Sequence, residues 1–210
     1  MAYDLEEQEQ LANLKAFWNQ YGNLITWLLV IALSAYAAWN GWNLYQSKQA
    51  AQASQLYEEM QKAVQVKDNA KTLRIASDIQ EKFNASAYAD LAAFSAAKLA
   101  FDSNDLKSAK VQLQWVISHN KANEMVALAK LRLAGVELDQ KNFDQAMTLL
   151  TGEFPAEFAA DLADRKGDIL FAQNKFAEAN AEYKKAIEKL GDKNPAAQLV
   201  QIKLDATQTN

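Results

Sequence analysis

Between Leu24 and Tyr45 the chain carries no charged side chain, and the surrounding stretch Gly22 to Gln49 holds only Lys48. About 22 residues at a 1.5 Å rise make a helix of roughly 33 Å, slightly more than the roughly 30 Å hydrocarbon core of a bilayer. Three structures fit such a run: a buried core helix, a secretion signal that is later removed, and a permanent membrane span. Core helices are seldom apolar on every side over this length. A signal is suggested by Ala35-Tyr36-Ala37, which has the small-x-small form of a cleavage site. Against it stand an acidic, overlong leading region without a positive n-region and an apolar, aromatic stretch that continues to Tyr45. A retained single span is therefore the favoured reading.

Aromatic residues reinforce it. Trp18 and Tyr21 precede the run, and Trp39, Trp42 and Tyr45 close it, where amphipathic rings settle at headgroup level. The expected organisation is a tail over 1–22, a transmembrane helix over 23–45 and a body over 46–208. Orientation stays open. Lys15 lies before the span and Lys48, Lys62, Lys67 and Lys71 after it, a count that weakly favours a body in the cytoplasm. In the tail, Leu11, Leu14, Trp18 and Tyr21 recur at helical steps. That stripe suits the membrane surface or a partner's helix as well as a plain run-in to the span.

The remainder of the chain reads as all-α. No stretch alternates with period two, and two prolines and six glycines leave few breaks. Breaks are expected near Asp68 and at 84–86, 103–105, 119–122, 141–142, 152–155, 174–175 and 191–195, with Ser86 and Asp105 as N-caps and Gly191 as a C-terminal stop. About nine helices result, and they repeat. Phe176, Ala179, Tyr183 and Ala186 stand at offsets 0, 3, 7 and 10; Leu106, Ala109, Leu113 and Val116 match all four, and Phe143, Ala146 and Leu150 match three. These starts bracket the roughly 34-residue tetratricopeptide period. Leu73, Ala76, Gln80 and Phe83 offer a degenerate fourth copy, and Ala97, Gly135 and Gly167 are small residues expected where helices approach closely. A single transmembrane helix followed by a tetratricopeptide-like helical-hairpin solenoid is the expected fold.

Chemistry is sparse. There is no cysteine, which removes disulfides, thiolate metal sites and a cysteine nucleophile. His119 is the one histidine and lacks ligand-spaced neighbours, so no metal site or cofactor is expected. No P-loop, G-x-G-x-x-G or Gly-x-Ser-x-Gly elbow exists. Asp161, Asp164 and Asp168 share one helix face, an arrangement expected of a solvated surface. Outside the acidic tail the charges nearly cancel, which disfavours nucleic acid. Catalysis is not expected, and protein binding remains. Stacked hairpins present an extended concave face, to which the register assigns Phe94, Phe101, Arg132, Asp139, Asp164, Asp168 and Phe171, with Phe94 and Phe101 equally placed to be core.

The order of features resembles the ancillary Sec-translocon subunit family of the YfgM type. The resemblance rests on "LANLKAFWNQYGN" before the span, Trp39 and Trp42 at its end, the "YQSKQAAQASQLYEEM" helix after it, and the repeats beyond. It covers nearly the whole chain. It implies a single-pass protein of the bacterial inner membrane with a cytoplasmic N-terminus and a periplasmic body. It also implies partnership with the SecYEG translocon and a membrane-anchored periplasmic chaperone, and a part in handling exported polypeptides. The periplasmic orientation is opposite to the weak charge count. A cytoplasm-facing adaptor that sequesters a signalling protein is the alternative.

Overall fold

The computed structural model describes residues 2–120, 122–191 and 194–208, with side chains from residue 7 onward. The parts of the expected breaks that fall on Lys121, Asp192 and Lys193 lie outside the described residues. Nine α-helices and one 3₁₀ turn, and no strand, occur among the described residues. They are α1 (Ala2–Gln65), α2 (Asn69–Lys82), α3 (Ala87–Asp102), α4 (Leu106–His119), α5 (Asn123–Asp139), α6 (Phe143–Leu149), the 3₁₀ turn Ala156–Phe158, α7 (Ala159–Ala172), α8 (Phe176–Leu190) and α9 (Pro195–Ala206). The chain divides into two compact units, Met1–Gln49 and Ala50–Asn210.

The first unit is helical throughout its described length, and its apolar side chains find no cover. Leu24, Trp27, Ile31 and Leu33 are each more than 60% exposed, and only 6% of the most apolar window is buried. That removes the core-helix reading. Among the described residues this is the one helix long and apolar enough to cross a membrane. Within it the Thr26 hydroxyl finds a local partner, donating to the Gly22 carbonyl at 2.8 Å. Aromatic pairs mark both ends, Phe17 with Tyr21 at 5.1 Å and Trp42 with Tyr45 at 6.1 Å between centroids.

In the second unit the turns set the repeat. Lys67, Asn104, Lys141 and Asn174 each adopt positive φ, between 55° and 62°, two residues before α2, α4, α6 and α8 begin. A left-handed residue after each first helix reverses the chain in three residues, so that the two helices of a pair lie against one another. Where a carboxylate follows, it caps the next helix: Asp68 accepts from the Lys71 amide at 2.9 Å and Asp105 from the Ser108 amide at 3.1 Å. Between pairs, Ser86 caps α3 through the Tyr88 amide. Gly191, at φ 74°, stops α8.

The pairs α3/α4, α5/α6 and α7/α8 follow, with α2 completing a pair with the C-terminal part of α1 and α9 closing the far end. Measured from the turns, equivalent positions in the first helices are Met60, Ala97, Ala134 and Gly167. Sixteen residues later come Ala76, Leu113 and Tyr183 in the second helices and Leu150 at the C-terminal cap of α6. Met60 and Ala76 share one buried cluster, Ala97 and Leu113 a second, and Ala134 and Leu150 a third. A Cβ added to Gly167 would stand 2.5 Å from the Tyr183 ring. Each pair thus packs one large side chain against one small one. In the first pair the sizes are exchanged, and in the last the smallest residue faces the largest. Interiors are packed too densely for two large groups or two small ones to substitute without cost.

Two sequence expectations need correction. The fourth copy begins at Asn69, not Leu73: Thr72, Ala76 and Ile79 are fully buried, whereas Leu73 and Gln80 are partly exposed and Phe83 lies past the helix end. The small position of α5 is Ala134, not Gly135. A Cβ on Gly135 would make only ordinary contact, 3.5 Å from the Arg165 guanidinium.

Gly167→Ala is expected to destabilise the fold by about 1–3 kcal/mol despite alanine's better helix propensity, because the Tyr183 ring must move. Gly135→Ala is expected to stabilise it by up to about 1 kcal/mol. Thermal melting of the two variants, followed by circular dichroism, checks the opposite signs. The buried Thr72 hydroxyl has no hydrogen-bond partner, so Thr72→Val, which keeps the shape and removes the polar atom, is expected to raise stability by about 1 kcal/mol in the same assay.

Candidate functional site

The first helices of successive pairs lie side by side, α3 beside α5 and α5 beside α7. Between them opens a cleft of about 530 Å³. Phe94, Ala97, Lys98, Phe101 and Asp102 of α3 form one wall; Arg132, Gly135, Val136 and Asp139 of α5 form the other. Leu113 of α4 and Arg165 of α7 complete the lining. The side chains on α5 recur at i, i+3, i+4 and i+7, one face of a helix.

Four of the expected residues therefore meet here: Phe94, Phe101, Arg132 and Asp139. Phe94 is 8% exposed and belongs to a buried cluster, so it is core and cleft wall at once. Phe101 is 40% exposed. The Arg132 guanidinium lies over the Phe94 ring, 4.8 Å from its centroid. Partial burial lowers the Arg132 pKa from its ordinary value, yet a guanidinium stays charged in proteins.

The other three lie elsewhere. Asp164 and Asp168 of α7 converge on Lys203 of α9, whose ammonium donates to Asp164 at 2.8 Å and lies 2.9 Å from Asp168. Asp168 also pairs with Arg165 at 3.3 Å and accepts from the Tyr183 hydroxyl at 3.1 Å. Burial pushes the Tyr183 phenol pKa up, and Asp168 adds to the shift. Burial likewise raises the Asp164 pKa, opposed by the Lys203 hydrogen bond. The expectation of a solvated carboxylate face holds for exposed Asp161 but not for these two, which fasten α9 to α7. Phe171 packs into the C-terminal buried cluster, edge-on to Phe176 at 5.3 Å. His119 stacks on Trp115 at 4.7 Å, and no metal-binding group of histidine and carboxylates occurs among the described residues.

Sequence reasoning passed over Lys98, Asp102 and Arg165. Arg165 was within reach: it occupies the repeat position of Arg132, as the turns at Lys141 and Asn174 show. Trp18, Tyr21, Trp39, Trp42 and Tyr45, the aromatics expected at the membrane interfaces, are all exposed on the first unit. Phe17, which pairs with Tyr21, joins them.

Paired helices in this register, with a groove along their first members, define a helical-repeat protein of the tetratricopeptide class. The tetratricopeptide repeat-like domain family matches residues 15–209. Relatives narrow this further. A Neisseria gonorrhoeae protein named ancillary SecYEG translocon subunit is 34% identical, with 98% of this chain and 99% of the relative aligned. Proteins of the same name from Haemophilus influenzae and Aggregatibacter actinomycetemcomitans are each 28% identical, aligned over 85% and 98% of this chain and 91% and 99% of their own lengths. The chain belongs to the family of ancillary SecYEG translocon subunits.

The Asp164–Lys203–Asp168 cluster carries a pH signature. Folded Asp164 holds its proton more tightly than an unfolded aspartate, so this group favours the fold most below the ordinary carboxylate range. That contribution is lost as pH rises through the folded value. Lys203→Ala removes the hydrogen bond that opposes the shift. At pH 7 it is expected to cost about 1–3 kcal/mol, discounted from a fully buried pair. The gap to the parent should narrow as pH falls and Asp164 protonates, a trend read from urea midpoints between pH 7 and pH 4.

Proposed function

We propose that this protein is a non-enzymatic, membrane-anchored binding module that works beside the SecYEG translocon of the bacterial inner membrane. Residues 23–45 cross the membrane once, residues 1–22 form a short cytoplasmic tail, and the helical-repeat body over 46–208 faces the periplasm. There it holds a membrane-anchored chaperone or an emerging polypeptide and so assists passage or quality control of exported proteins. The single observation that carries this reading is a cleft walled by aromatic and charged side chains in the same chain as one exposed apolar helix. The shared name of the relatives supports the translocon as its setting. Tethering multiplies the effect of a weak grip, because the body meets each emerging chain at high effective concentration.

A photo-crosslinking amino acid placed at Lys98 or Phe101 in living cells is expected to capture pulse-labelled translocating chains or a membrane-anchored chaperone. Capture of neither would count against the binding role. Protease added to intact spheroplasts is expected to digest the body from outside. Digestion only after the membrane is opened would instead support the cytoplasm-facing adaptor that the charge count favours.

A further inference from the structure

Two of the charges lining the cleft have no ionic partner among the described residues. Lys98 pairs with Asp102 at 2.9 Å, one helical turn away, and Arg165 pairs with Asp168 at 3.3 Å. Arg132 and Asp139 make no ion pair with any described residue. The Arg132 guanidinium lies over the Phe94 ring and has no hydrogen-bond or ionic partner among the described residues, so its N–H donors are free for a planar acceptor. Next to it the lining is apolar: Ala97, Leu113 and Val136, and beside Gly135 the Arg165 guanidinium comes to 3.5 Å of where a Cβ would stand. Asp139 stands two turns along the same helix face, roughly 10.5 Å from Arg132 at 1.5 Å per residue.

We infer that the cleft between α3 and α5 selects an extended polypeptide segment in which a side-chain carboxylate sits beside a large apolar residue, with the carboxylate on Arg132 and the apolar group between Phe94, Phe101 and Val136. This deepens the proposed binding role and rests on it. Charge complementarity sets both the residue type and the direction. A carboxylate gains a charge-assisted, two-pronged bond at Arg132, and a second one placed toward Asp139 is repelled. The volume, about 530 Å³, is that of a site for a few side chains rather than for a folded surface.

The test uses the full chain in nanodiscs and fluorescein-labelled heptapeptides, acetylated and amidated, with Leu-Glu-Phe at the centre. Replacing the central Glu by Gln is expected to weaken binding about tenfold, and by Lys further. In Arg132→Gln the Glu peptide should fall to the level of the Gln peptide, with no further loss for the latter, the non-additivity that marks a direct pair. Arg132 is exposed, so an unchanged melting temperature shows that the variant is folded. Equal affinity of Glu and Gln peptides for the parent, an equal loss for both in Arg132→Gln, or no binding by any peptide overturns the inference. So does binding only by a Gln peptide with a free C-terminal carboxylate, which would assign Arg132 to chain ends. Crosslinking from Lys98 that persists in Arg132→Gln, together with any of these, leaves the binding module standing and removes only its selectivity.

Discussion

Size complementarity across the helix pairs is the constraint from which the rest of the body follows. A first helix can approach its partner only as far as the facing side chains allow, and here each contact combines one large group with one small one: Met60 with Ala76, Ala97 with Leu113, Ala134 with Leu150, Gly167 with Tyr183. The sum of sizes is conserved while its division between the helices varies. Holding that sum fixes the spacing of the pairs, and the spacing in turn aligns α3, α5 and α7 side by side. Without the alignment, Phe94, Arg132 and Arg165 would not line one groove.

Much of this was legible in the sequence, and the reasons are local. Four turns rely on a left-handed residue, and Lys or Asn at those places stands next to polar groups that punctuate the apolar periodicity. The pattern at offsets 0, 3, 7 and 10 survives wherever the second helix carries the large residue. It fails in α2, where the large residue moved to Met60 in α1, so that a spurious match at Leu73 outscored the true one at Asn69. Gly135 misled for a related reason. Glycine in a helix suggests close approach, yet the approach occurs one residue earlier at Ala134, which is small enough to serve without drawing notice. Single helices do not reveal which of two adjacent small residues faces inward.

The acidic residues on α7 show the other limit. Their common face could be read from spacing, but Lys203 lies far along the chain, and nothing near Asp164 or Asp168 announces it. The partnership exists only because α9 folds back against the last pair. There Val200 and Leu204 join Tyr183 in one buried cluster, and Asn180 donates to the Thr207 hydroxyl at 2.7 Å. At this end α9 does for the stack what a further repeat would otherwise do: its apolar side chains cover the last apolar face, and the polar bonds fasten it there.

The cleft takes its lining from three successive first helices, Lys98 and Phe101 from one, Arg132 and Asp139 from the next, Arg165 from a third. In a quasi-linear stack each pair otherwise feels only its neighbours. Anything gripped along the groove would be a splint laid across the joints between the pairs. Holding and stiffening would then be one event.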